Sequence, residues 1–303
     1  MSAHYPRIRV RTDTGYLAIR EGLSITFYMR RPHHEVAPAV LRSLDTYLAA
    51  VGPDALGWCL DQEGFFQEMD SAAWDQFRRE MLSNRRLIFH LADADADEQG
   101  YAFHYRGKRL DAASLAHSPG EVTEVSFWLP TEYLDAHGPR RVRELALELA
   151  GPLPFCSGHG GLNFSCDPGL MGVRRAVHRL CFRYPGIDIP TDGRTALHIG
   201  TRVRGAAWLT FLGQPVLGEL GGVEGLRSRL HSPETTVQSL EGERAIVTLG
   251  LWPEAGDTEQ GNILPAYREL ARVLEPWLYH EPPLRSSAFP AEDMLRWERR
   301  FLD

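Results

Sequence analysis

Two cysteines and two histidines stand in closely spaced pairs, Cys156-x2-His159 and His178-x2-Cys181. Paired thiolates and imidazoles are what a tetrahedral zinc site uses, so with Asp167 nearby the set describes a metal-dependent enzyme or a zinc-stabilised protein. The surroundings favour a plainer reading. The first pair falls in Ser157-Gly158-His159-Gly160-Gly161, which reads as a tight turn between a strand ending near Phe155 and a strand over 162–164. The second falls on a helical stripe with Val177 and Leu180, where Cys181 reads as a buried free thiol.

The same glycines would suit an anion nest, yet neither G-x-G-x-x-G nor Gly-Lys-Ser/Thr is present. Cys156 and His159 as a nucleophile pair is equally thin, because cysteine catalysis is assembled in space and not along the chain. The acidic run Asp93, Asp95, Asp97 and Glu98 has the spacing of a calcium loop. It places Glu98 where glycine is needed and lacks the closing glutamate. It reads instead as a solvated loop, or as an acidic surface offered to a basic partner. His33-His34 beside Glu35, and Asp188 and Asp192 around Ile189-Pro190, add no recognisable set. Neither a serine elbow, an H-E-x-x-H, a kinase set nor a carboxylate pair is seen. The residues name no reaction, assign no catalytic group and call for no cofactor.

The elements that must position these groups alternate between strand and helix. Residues 7–11 and 23–29 have period-2 patterning around a turn at Asp13-Thr14-Gly15, which predicts an antiparallel pair. A helical stripe follows from Val36 to Val51, ended by Gly52-Pro53. A short helix carries Trp74, Phe77 and Met81, capped by Asp70 or Ser71. Strands are predicted over 87–91, 101–105, 122–129, 196–203, 208–212 and 244–251. Helices are predicted over 142–149, 173–180, 217–230, 267–277 and 294–301. This is an α+β pattern: a mixed, largely antiparallel sheet or sheets with packed helices. Strand–helix–strand connections such as 127–149–164 also allow parallel pairing. Breaks at Gly151-Pro152 and Pro185-Gly186 lack flexible flanks, so 1–303 reads as one domain, with 1–151 and 152–303 as possible similar halves.

A chain of 303 residues with 43% hydrophobic and 24% charged residues builds a full core without disulfides. Its net charge of −7 argues against a general phosphate-binding surface, so direct nucleic-acid binding is not expected. Residues 1–7 hold no apolar leader and no run reaches the ~20 residues of a membrane span, which predicts a cytoplasmic address with no membrane contact and reduced cysteines.

Several segments in order carry a family resemblance. They are Gly158-His-Gly-Gly161 with Leu162, Arg183-Tyr-Pro-Gly-Ile-Asp188, Gly205-Ala-Ala-Trp-Leu-Thr-Phe-Leu212, Leu220-Gly-Gly222, Gly256-Asp257 and Pro265-Ala-Tyr267. Together, from about Gly22 to Trp277, the chain resembles the type VI secretion immunity family, also called the DUF3396 family. The resemblance implies an immunity protein, not an enzyme, that binds and blocks a cognate toxin delivered between bacteria, in some relatives a nuclease of the VRR-Nuc type. No catalytic residue comes with it. An acidic inhibitor suits a nuclease, whose nucleic-acid site is positively charged, and Asp93, Asp95, Asp97 and Glu98 are the expected contributors to toxin capture.

Overall fold

The alternation at the start of the chain becomes a hairpin of β1 (Arg9–Arg11) and β2 (Leu17–Met29), and β2 becomes the middle of the molecule. In the computed structural model, which describes residues 4–60, 65–93, 100–111, 113, 116, 118–166, 169–190, 193–282 and 289–303, β2 has a partner on each side. These are β7 (Thr123–Pro130) and β8 (Ser157–Cys166). Beyond β7 the sheet continues through β6 (Ala102–Gly107), β5 (Leu87–Asp93), β3 (Leu56–Leu60) and β4 (Phe66–Glu68). Beyond β8 it continues through β9 (Leu209–Leu212), β11 (Arg244–Leu249) and β10 (Thr235–Leu240). Among the described residues this is one 11-stranded sheet whose ladders are all antiparallel.

Helices α1 (His33–Val51) and α3 (Thr131–Ala150) follow β2 and β7 and pack on each other and on one face of the sheet. The period-2 patterning decides what they meet: Leu23, Ile25, Phe27 and Met29 join Val40, Leu44, Val142, Leu145 and Leu149 in the core. The crossover from β7 through α3 to β8 skips one strand, so β7 and β8 run parallel to each other with β2 antiparallel between them. That strand–helix–strand unit was visible in the sequence, but its strands are not direct neighbours.

The remaining helices are α2 (Ser71–Ser83), α4 (Val173–Arg183), α5 (Thr195–His198), α6 (Val216–Glu219), α7 (Gly222–Arg227), α8 (Pro265–Leu274) and α9 (Ala291–Glu298). Asp70 caps α2 as expected, its carboxylate accepting from Ala73 N at 2.8 Å. No helix among the described residues is long and apolar enough to cross a membrane.

Four local expectations change. The glycine-rich stretch is not a turn but the first half of β8, and at Gly158 only glycine fits between the neighbours. A Cβ on Gly158 would lie 2.7 Å from the Thr26 carbonyl oxygen and 2.8 Å from the Phe27 ring. The strand expected over 196–203 is α5 and a turn. The helix expected over 217–230 splits into α6 and α7, since Gly221 takes a φ of 85° between them. Helix α3 begins well before 142, with a break at Gly138 (φ 78°) ahead of Pro139 that hides its first turns from a periodicity reading.

Candidate functional site

The face of the sheet opposite α1 and α3 is polar. Directly across from one another on five strands stand His159, Thr26, Ser126, His104 and His90, one from each of β8, β2, β7, β6 and β5. Thr26 and Ser126 share a hydroxyl hydrogen bond at 2.5 Å. One pleat along, Ser24, Trp128, Ala102, Ala92 and Trp58 form the next row, and Tyr28, Glu124 and Arg106 form a third. These rows floor a cavity of about 570 Å³. Residues Asp188 to Pro190, in the loop after α4, and Arg204 wall one end, and Trp58, Phe66 and Tyr101 stand at the other. Asp188 is held there by its backbone, which bonds Leu162 O at 2.9 Å and Phe164 N at 3.0 Å.

Burial sets the electrostatics. Above all it pushes His159 and His90 down to about 4 and His104 to about 3, with Arg204 acting on His159 and Arg106 on the other two in the same direction. The His90 and His104 rings lie 4.6 Å apart, both uncharged at neutral pH. Asp188 lies 3.6 Å from an Arg204 terminal nitrogen. Burial works against its carboxylate, but Arg204, His159 and Arg300 hold its pKa below the usual value. Arg204 also lies over the Trp297 ring, 5.1 Å from its centre. Several buried polar atoms lining the cavity have no hydrogen-bond partner among the described residues: His159 Nδ1, Asn163 Oδ1, Trp128 Nε1, His90 Nε2, and Nε and one terminal nitrogen of Arg204. Chemically the lining is a mixture of donors and acceptors, charged at one end and aromatic at the other.

The four residues of the zinc reading are not one site. His159 faces the cavity, while the amide of Cys156, just before β8, donates to Tyr28 O at 2.9 Å and burial pushes the Cys156 thiol up. On α4, His178 Nε2 lies 3.1 Å from Asp293 of α9, between the edges of Phe182 and Phe289. Cys181 is fully buried, its thiol donating to His178 O and pushed up to about 12 by that burial. Among the described residues no three His, Cys, Asp or Glu side chains come together as a metal site. The pleat of β8 turns His159 toward the cavity, and the apolar stripe of α4 turns Cys181 into the core.

Of the acidic run, Asp93 ends β5, half-buried at the cavity, and accepts from Tyr101 N at 3.1 Å. Asp95, Asp97 and Glu98 lie outside the described residues, as do Asp167 and Asp192. His33, at the start of α1, is buried with Nδ1 2.7 Å from the Tyr105 hydroxyl. Sequence reasoning missed Thr26, His90, His104, Ser126, Trp128, Asn163 and Arg204. The available signal was polar residues at every second position of otherwise apolar strands.

Two of the motif segments, through His159 and Asp188, line this cavity, and others brace them from behind. Arg183 bonds Asp257 at 3.1 Å and pairs with Glu259 at 2.9 Å, and Gly186 N donates to Ala255 O at 2.8 Å. So Arg183–Asp188, whose far end is the cavity wall, is anchored on Gly256-Asp257. Trp208 packs over Gly161, with its Nε1 donating to Gly250 O at 3.2 Å.

A family model described as type VI immunity for VRR-NUC, TsiV, matches residues 39–301. Among solved structures, the Pseudomonas aeruginosa T6SS protein PA0821 superposes with a TM-score of 0.78 at 20% identity. The match covers 97% of this chain and 87% of that chain, and it is a likeness of fold. No curated protein matches the chain in sequence.

Proposed function

We infer, because the chain belongs to the TsiV family of type VI immunity for VRR-NUC, that it protects its producer by binding a cognate toxin and blocking the toxin's active site, without catalysing a reaction itself. The observation that carries this is the family match across residues 39–301, which includes the loop that walls the cavity and every strand of the polar face except β2. The net charge of −7 supports it, since a nuclease presents positive charge to its substrate and an acidic protein is drawn to that surface. Asp93, together with Asp95, Asp97 and Glu98, contributes to capture in this reading. The encounter takes place in the cytoplasm, where a nuclease finds nucleic acid. In this reading the whole chain acts as one domain, because the strands of its two halves join through the β2–β8 ladder into a single sheet.

Growth rescue tests the reading: a VRR-Nuc-type toxin encoded beside this gene is expressed in a susceptible host with and without the protein. Survival together with a stoichiometric complex on co-purification is expected. Continued killing despite soluble expression, with no complex, would overturn it.

A further inference from the structure

The cavity on the polar sheet face has a chemistry that names its occupant. His159 Nε2 faces the Asp188 carboxylate, which can only accept, so the ring proton belongs on Nε2 and Nδ1 is left as a bare acceptor. Asn163 donates through Nδ2 to Ser24 Oγ at 3.0 Å, which leaves its Oδ1 as a second bare acceptor. Both side chains are more than nine-tenths buried and both line the cavity. Such acceptors are costly without a donor. Among the charged lining residues the carboxylates Asp93, Glu124 and Asp188 outnumber Arg106 and Arg204, and Arg204 is already set against Asp188. The mouth is aromatic: Trp58 and Tyr101 line it beside Phe66, which is 61% exposed although its ring is large and apolar.

The geometry points to this cavity as the docking site for a protruding polypeptide segment of the toxin that carries an arginine or lysine side chain. A guanidinium or ammonium group brings donors without acceptors to His159 Nδ1 and Asn163 Oδ1, and a positive charge to the carboxylates. The aromatic mouth, at the other end of the cavity, accepts apolar side chains of the same segment. A main-chain carbonyl of the same segment serves Trp128 Nε1, a buried donor on the floor. A nucleic acid would bring phosphate, an acceptor-only anion, to a lining with excess negative charge. This assignment rests on the toxin-binding function proposed above and gives it a location.

The test has two arms. In the first, N-acetyl-arginine amide is titrated into the full chain while the indole N–H of Trp128, identified with Trp128→Phe, is followed by NMR. N-acetyl-glutamate amide and guanosine monophosphate serve as comparators. A saturable shift with the arginine probe alone is expected. No shift with it, or a larger one with either comparator, overturns the proposal. In the second arm, binding of a catalytically dead VRR-Nuc-type toxin is measured for the wild type, Ala92→Arg, Ala92→Glu and the exposed Phe66→Ala. Ala92→Arg fills the cavity and repels a cation, and is expected to weaken binding by about tenfold or more, with Ala92→Glu weakening it less. A tenfold loss is also expected for the aromatic anchor Phe66. Full affinity in both Ala92→Arg and Phe66→Ala removes the cavity as the docking site and leaves toxin neutralisation standing. No complex with the wild-type protein removes the proposed function itself, while the probe arm still decides what the cavity accepts.

Discussion

Asp188 Oδ2 lies 3.5 Å from His159 Nε2, where the loop after α4 comes down onto the polar face of the central sheet. The pair joins two of the motif segments, Gly158–Leu162 and Arg183–Asp188, which the chain otherwise keeps apart. It also sets a carboxylate against a histidine that the sequence offered as a metal ligand.

Acid destabilises this protein before its carboxylates titrate. Burial holds His90 and His159 at about 4 and His104 at about 3, whereas an unfolded histidine titrates near ~6.5. Below ~6.5 the unfolded chain therefore binds protons that the folded chain does not, and stability falls as pH drops toward about 4. Asp188 acts in a lower window. Its folded pKa is depressed, so its contribution is present above the usual carboxylate range and lost as pH falls through the folded value. Urea denaturation between neutral and mildly acidic pH should show uptake of about three protons on unfolding near pH ~5, reduced by about one in His90→Asn.

Gly186→Ala should cost about 2–3 kcal/mol, because the new Cβ collides with the Glu254 carbonyl oxygen behind the strap that holds the cavity wall. Gly205→Ala, whose Cβ would meet nothing within 4 Å, should stay within about 0.5 kcal/mol of the wild type. Chemical denaturation of the two variants side by side checks the contrast.

Phe211→Ala should be among the most damaging single changes. Its ring is fully buried and packs on Phe27 at 4.9 Å and Phe155 at 5.7 Å between centres, joining β9 to the middle of the sheet. A loss of about 3–5 kcal/mol is expected from the same measurement.

Thiol labelling should separate the cysteines by burial. Cys181 reacts with iodoacetamide only once the chain is unfolded, its thiol being enclosed and pushed up to about 12. Mass spectrometry with and without denaturant reads this out. In the same samples, added zinc should leave the melting temperature unchanged; a stabilising shift would mean that the separated Cys156, His159, His178 and Cys181 come together after all.

Replacing Asp93, Asp95, Asp97 and Glu98 by serine should slow association with the toxin at low ionic strength and change little at high salt, as expected for charges that steer an encounter. Because Asp93 also accepts from Tyr101 N, Asp93→Asn serves as the control that keeps an acceptor. Equal association rates at low salt for the fourfold variant and the wild type would remove these residues from capture.

Where local periodicity was strong the sequence was legible. The alternation Leu23-Ser24-Ile25-Thr26-Phe27-Tyr28-Met29 appears as β2 with its apolar side on α1 and α3, and α1, α2 and α4 lie where their stripes predicted. It failed where a residue's local habit and its tertiary use diverge. Glycines that usually punctuate a chain instead thin a central strand at Gly158–Gly161, and β4, with three residues, is too short for a period to show. The cavity was illegible for another reason. His159, Ser126, His104 and His90 become neighbours only through register across strands, and a linear sequence does not print register.

The placement of β2 between two late partners gives the newborn chain a timing problem. Ile25 pairs with Phe127 on one side and Gly160 on the other, so both edges of this apolar strand leave the ribosome long before either neighbour exists. At ordinary elongation speeds, roughly 5–20 residues per second, the wait lasts several seconds. During it, β2 is a template for pairing with the wrong chain. Protection against an incoming toxin thus begins only after translation has passed β8, and rapid resupply depends on shielding one nascent strand.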